Sequence, residues 1–518
     1  MMPCWSLRLL CASTALSILL SVSTAAAQSP PAAPEAPEAP EAPEGDVAPF
    51  FRLVTRFDAW SFFEPPLPGR EPDYVLVGNR ATLGMRVDKR RLQLFGAFQY
   101  GLIFGLPRRA SGPGPLGPGG MYYDAARQPA AYQVYFKALS LRVKDIAPGL
   151  SFEAGRMGFE TGSAARSAAG SGHEKRESTQ KLIEPDLRDR LAGRLIGEVA
   201  WSTFERAFDG VRFDLDRGGW DATAALLWPT QGAFEESANP TLDKVRVATA
   251  EVTLRRHIVL DLTSAATADG DRVHELQLFA HHYSDHRDVT TRPDNTGLSS
   301  AAADVDVATV GASHLGSYAL GSGRADSVLW AAGQFGDWYG VPHRAASVIA
   351  EGGYRWPIRW QPWIRGGFVH ASGDRDALDT RHGTFFPMLP TTRPDLMAGT
   401  FAQMNLRDVF AEVRLLPHPR VAVSGDIHRT TLAGGNDGWY SGTGATARHG
   451  TFFGYVIRAA RGATDLGVAA KGSTSIELNR RWTVLAALGM VKGGTVIRQL
   501  FARDRLIVFS LEAVLTLE

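Results

Sequence analysis

The sequence predicts an all-β protein, a transmembrane antiparallel up-and-down β-barrel of about 18 strands. Three observations lead there. An export signal opens the chain, alternating stretches of about ten residues fill it, and connectors of two lengths separate them. The chain has 518 residues, 54 Gly, 30 Pro and 10% aromatics. No apolar run after the signal approaches the ~20 residues that a spanning helix needs. A barrel instead spreads its lipid-facing surface over every second position, so an overall hydrophobic content of 44% is compatible with membrane insertion.

Residues 1–27 read as a secretory signal. Arg8 supplies the positive charge, Ala15 to Val22 the apolar core, and Ala25-Ala26-Ala27 the cleavage site. Cys4 and Cys11 both fall inside it, so disulfides and cysteine-based redox or metal chemistry are excluded from the mature chain. Residues 28–49 repeat Pro, Glu and Ala, a composition that buries little and removes backbone donors. They are expected to form an extended periplasmic tether, a spacer or the handle for a periplasmic partner. Residues 50–518 are expected to form the barrel.

The strands follow in order. From Val75 to Asp88, Val75, Val77, Ala81, Leu83, Met85 and Val87 share one face, and Arg80, Thr82, Arg86 and Asp88 the other. A turn at Asp88–Arg90 leads into Leu92, Leu94, Phe98 and Tyr100. Leu139, Leu141 and Val143 oppose Ser140, Arg142 and Lys144; Val211, Phe213 and Leu215 oppose Arg212, Asp214 and Asp216. Val409, Ala411 and Val413 oppose Glu412 and Arg414; Val468 and Ala470 oppose Lys471 and Ser473. The last strand sets Ile507, Phe509, Leu511, Ala513, Leu515 and Leu517 against Ser510, Glu512 and Thr516. Short turns (88–90, 217–219, 357–359) and long loops (108–127, 163–189, 373–397) suit periplasmic and extracellular rims. Trp60, Trp201, Trp220, Trp228, Trp330, Trp338, Trp356 and Trp360 lie near strand ends, where interfacial girdles form.

The polar face carries the charge. Only eight of the 55 basic residues are lysine, so arginine dominates. A charge facing lipid costs roughly 2–4 kcal/mol near the midplane. Arg52, Arg56, Arg80, Arg86, Arg142, Arg156, Arg212 and Arg414, with Asp214, are therefore expected to line the lumen. Guanidinium forks there match carboxylates and raise local anion concentration. Asp88, Asp214, Glu412 and Glu477 allow the alternative of a cross-lumen ladder of ion pairs.

The run Arg194-Leu195-Ile196-Gly197, then Trp201, then Arg206-Ala207-Phe208-Asp209-Gly210-Val211-Arg212 resembles the alginate-export family of outer-membrane porins. So do His370-Ala371-Ser372-Gly373-Asp374, Gly383-Thr384-Phe385-Phe386-Pro387 and Asn405-Leu406. Gly155-Arg156-Met157 stands where that family tends to carry Gly-Arg-Gln, and the chain ends in Leu517-Glu518 instead of an aromatic residue. The resemblance implies a monomeric barrel with an electropositive, loop-gated pore that exports an anionic polysaccharide, in contact with outer-membrane lipid. A porin for small acidic solutes is the alternative within the same fold.

Other chemistry is weakly represented. His370, Ser372 and Asp374 hold hydrolase-type groups, but on one strand, which is not how a triad assembles. No enzyme activity and no cofactor are expected. Asp374, Asp376 and Asp379 could supply oxygen ligands to Ca²⁺, and His281, His282 and His286 lie near Asp285 and Asp288. There is no nucleic-acid module.

Overall fold

A closed ring of antiparallel strands accounts for most of the chain. The computed structural model describes residues 46–112, 114–162, 187–255, 273–391 and 399–517. The signal and most of the expected tether lie outside them. Strand β1 is Asp46–Ser61, so residues 46–49 belong to the barrel and not to the tether. There follow β2 (Asp73–Lys89), β3 (Leu92–Phe104), β4 (Ala130–Ala147), β5 (Leu150–Met157) and β6 (Phe208–Asp216). Next come β7 (Trp220–Pro229), β8 (Val245–Arg255), β9 (Val273–Asp285), β10 (Val305–Leu320), β11 (Gly323–Trp338) and β12 (Val341–Arg355). The ring is completed by β13 (Trp363–Ala371), β14 (Leu406–His418), β15 (Val421–Leu432), β16 (Asp465–Glu477), β17 (Trp482–Gly493) and β18 (Arg505–Leu517). Each strand pairs with its neighbours in sequence, and β18 pairs with β1 from Phe51↔Leu517 to Ser61↔Ile507. This is the 18-stranded barrel that the alternation predicts.

Register fixes the faces. Leu83, Leu139 and Val409 are 60%, 50% and 55% exposed and point outward, while Arg80 and Arg212 on the other face are 6% exposed. The period-two pattern thus separates a lipid surface from an interior. One rim carries the tight connections, including Arg90-Arg91, Pro148-Gly149, Gly321-Ser322 and Pro419-Arg420. Residues 256–272 also join β8 to β9 at that rim; the other carries the remaining long excursions and one tight turn. β11 and β12 meet there through Tyr339-Gly340, where φ of +51° and +83° gives the left-handed pair that a two-residue hairpin needs.

The long excursions do not stand clear of the barrel. Leu187, Ile196, Phe204, Phe385, Phe386, Met388 and Leu389 are all buried, against inward residues such as Val247, Tyr283, Trp338 and Ile349. Loop and wall share one apolar core at the long-loop end of the interior, and the polar wall remains toward the short-turn end.

Candidate functional site

The interior wall is electrically two-sided. On β1–β4 the inward register carries Arg52, Arg56, Arg80, Arg86, Lys137, Arg142 and Lys144 against Asp58 and Asp88. Lys137 reaches that face through a β-bulge: Ala97 pairs with Ala138 and Phe98 with Phe136, leaving Lys137 as the extra residue. Across the ring, β8–β15 turn inward Glu251, Glu275, Asp326, Glu351, Asp408, Glu412 and Asp426, with Arg255, Arg324, Arg355, Arg365 and Arg414 among them.

A segment of the β5–β6 loop bridges the two sides. At its start, Arg188 pairs with Glu275 on β9, Arg190 with Glu351 on β12 and with Glu412 on β14 at 3.0 Å, and Arg194 with Glu351 at 3.4 Å. Arg190 also lies over the Phe410 ring at 5.3 Å. At its end the signs reverse. Glu198 accepts from Lys137 at 2.5 Å, and Glu205 meets Arg80 at 2.8 Å and Lys137 at 3.4 Å. Arg80 also donates to the carbonyls of Ala200 and Ser202 at 2.7 and 2.6 Å. In a ring of 18 strands, β1–β4 and β9–β14 lie on opposite sides, so residues 188–205 cross the lumen. Burial pushes the Glu205 carboxyl up, but Arg80, Lys137, Gln99 and Arg52 outweigh it and hold it at about 2. At half-buried Glu160, burial and then the Glu198 charge outweigh the Thr391 hydroxyl and Lys137, and the carboxyl is pushed up to about 7.

The sequence motifs build this crossing. Gly197 donates to the Leu389 carbonyl at 2.8 Å, and a Cβ there would collide with Thr391. Arg206 is fully buried and donates to the carbonyls of Gly197 and Leu389 at 3.3 and 3.1 Å and of Thr443 and Ala445 at 3.0 Å each. It joins three loops that meet inside the barrel. Asn405, at φ +49°, donates to Gly434 and Gly438 at 2.9 and 3.1 Å, and Gly373 leaves room for its side chain. Asp374 N–H and Thr384 Oγ1 both donate to Asp437, at 2.8 and 2.6 Å.

The expected lining residues separate into groups. Arg56 pairs with Asp58 at 2.9 Å, Arg212 with Asp214 at 2.8 Å, and Arg142 reaches Asp214 at 3.2 Å. Arg52, Arg86 and Arg414 also lie on the inward register. Arg156 is different. It stands opposite Leu139 and Asp209, on the outer face near the long-loop rim, and pairs with Asp209 at 2.7 Å and with Asn239 at 2.9 Å. Its partner register, not its neighbours in sequence, decides the face. The interior is therefore a field of paired charges, with basic and acidic arcs, instead of bare arginine.

Two further expectations, the Ca²⁺ ligands and the tryptophan girdle, are corrected. Asp376 and Asp379 accept from the N–H groups of Leu378 and Arg381, closing local turns, and no group that could hold a metal ion forms among the described residues. His370 points outward beside Arg407, and the Ser372 hydroxyl donates to the Gly383 carbonyl at 2.9 Å, so no triad forms. Trp60, Trp330 and Trp338 are interior, and Trp201 lies on the crossing segment with Arg56 at 5.8 Å; Trp220 and Trp228 do face outward. Sequence reasoning missed Lys137, Glu198, Glu205, Arg190 and Glu351. An apolar content too high for a solvated loop, at Leu191, Leu195-Ile196 and Phe385-Phe386, is the signal that was available.

The family model described as "Alginate export" matches residues 186–505, which include the crossing segment and the knitted loops. No match is found among curated proteins. Among solved structures, the chain is similar to the outer membrane protein opdK from Pseudomonas aeruginosa, at 10% identity and a TM-score of 0.51, covering 91% of this chain and 98% of that one. It is similar to OccK2 (OpdF) of the same organism at 10% identity and a TM-score of 0.52, with the same coverage. It is also similar to OccK2 in complex with glucuronate, at 11% identity and a TM-score of 0.50, again covering 91% and 98%. At such identities the likeness establishes the fold.

Proposed function

The chain belongs to the alginate-export family, and from that premise we propose that this outer-membrane channel passes an anionic, uronate-type polysaccharide. The setting we infer is the outer membrane of a Gram-negative bacterium, with a monomeric barrel and no covalent chemistry. The observation that carries the substrate class is the basic arc on the inward face of β1–β4. A carboxylate moving along it exchanges part of its hydration for guanidinium forks. Arg56, Arg80, Lys137, Arg142 and Lys144 are already shared with wall or loop acids, which keeps their contacts weak enough to release, as conduction requires.

Single-channel recording of the purified chain tests this. The expected channel prefers anions and is blocked by polyuronate but not by a neutral polysaccharide. Changing Arg52 and Arg86 to Gln, which spares the Arg80–Glu205 and Arg212–Asp214 pairs, should weaken that block about tenfold, given the roughly 4 kcal/mol gross attraction of one charge pair at 4 Å. A cation-preferring parent channel, or one indifferent to polyuronate, would sink the proposal. The crossing segment favours one alternative, a porin for small acids, because it narrows the lumen. A monomeric uronate that blocks as well as the polymer, at equal carboxylate concentration, would select it.

A further inference from the structure

The outer surface holds a second set of basic groups, and it differs from the interior set. On four consecutive strands, β12–β15, Arg344, His370, Arg407 and Arg429 point outward near the long-loop rim. Their sequence neighbours His343, Asp408 and His428 are buried inside, which fixes the orientation. Arg407 donates to His370 Nδ1 at 3.3 Å, and Arg429 meets Asp465 at 3.1 Å. Among the described residues, neither Arg344 nor Arg407 has a carboxylate within ion-pair distance. The arrangement repeats from strand to strand. Two residues further along the same outward face, His370 is followed by Phe368, Arg407 by Val409 and Arg429 by Ile427, all exposed apolar side chains. A two-residue step is about 7 Å, the distance from a headgroup to the start of an acyl chain.

We propose that this patch binds a phosphorylated lipid of the outer leaflet. Its phosphates would lie against Arg407 and Arg429, with Arg344 above, and its chains against Phe368, Val409 and Ile427. Guanidinium groups at the edge of an apolar belt have little water to solvate them, and a phosphate offers bidentate acceptors that replace it. The apolar strip favours a lipid over a free anion, which has no use for Phe368 or Ile427.

The test uses the full chain in neutral detergent and native mass spectrometry. The probes are a bisphosphorylated disaccharide lipid, its dephosphorylated form and inorganic phosphate. The parent should retain the phosphorylated lipid about tenfold better than the dephosphorylated one. The double variant Arg407→Gln, Arg429→Gln should lose that preference while keeping its heat-modifiable fold. Equal retention of the two lipids by the parent overturns the proposal, and needs no variant to fold. So does an unchanged preference in a folded variant. Displacement of the lipid by an equal concentration of inorganic phosphate would instead identify a free-anion site and also overturn it.

Discussion

Among the described residues, Arg206 is a cation in contact with four carbonyls and no carboxylate. Burial lowers its pKa to about 10, which still leaves it charged at neutral pH. Changing Arg206 to Met would strand the carbonyls of Gly197, Thr443 and Ala445, while Leu389 keeps the Gly197 N–H, and each buried orphan costs about 1–3 kcal/mol. The β5–β6, β13–β14 and β15–β16 loops should then become protease-sensitive while the barrel stays heat-modifiable; unchanged proteolysis would show that apolar packing alone holds them. Glu160 makes a prediction of opposite kind. Its carboxyl loses a proton near 4.5 when unfolded and near 7 when folded. Between those values the folded chain binds more protons, so stability falls as pH rises. Glu160→Gln should match the parent at pH 4 and exceed it by about 1–2 kcal/mol at pH 8, after allowance for partial exposure. Equal denaturation midpoints at pH 8 would remove Glu160 from the account. At this scale the sequence was an uneven guide. Arg80 and Arg212 lie inside as expected, whereas Arg156, expected in the lumen with them, pairs with outward-facing Leu139 and faces outward.

The β5–β6 loop is where element and pore meet. Met157 and Phe208 are partners in the ladder, so the residues between them leave and return at one point of the wall. A short hairpin turn could join those ends. Replacing residues 158–207 by such a turn removes the crossing segment without disturbing either strand's register. Single-channel conductance should rise several-fold, and selectivity should shift, because Lys137 and Arg80 lose Glu198 and Glu205. Conductance equal to that of the parent would mean that other loops set the constriction. Strands were legible because a period of two is a local property of the chain. The crossing was not, because its partners are 61 to 222 positions away, as Lys137–Glu198 and Arg190–Glu412 illustrate. Gly and Ser in the loops signalled irregular backbone, and that holds equally for a loop in water and a loop folded into a lumen.

For the whole molecule, two connector lengths and one alternation were sufficient to anticipate a closed barrel. They said nothing of how full it is. The interior combines an apolar core near the long-loop rim with opposed basic and acidic arcs, and both depend on which strand ends up opposite which. The closing ladder between β1 and β18 is an ordinary one, antiparallel and eleven pairs long, from Phe51↔Leu517 to Ser61↔Ile507. Asp46 and Leu517 lie at the same rim as the tight turns. A circle has no privileged origin. Opening the chain at Arg90-Arg91 and splicing Leu517 to Asp46 through a few glycines would give a circular permutant whose strands read β3 to β18, then β1 and β2. Every ladder, the bulge at Lys137 and the lumen crossing would be retained, and only the place where the polypeptide enters and leaves the ring would have rotated.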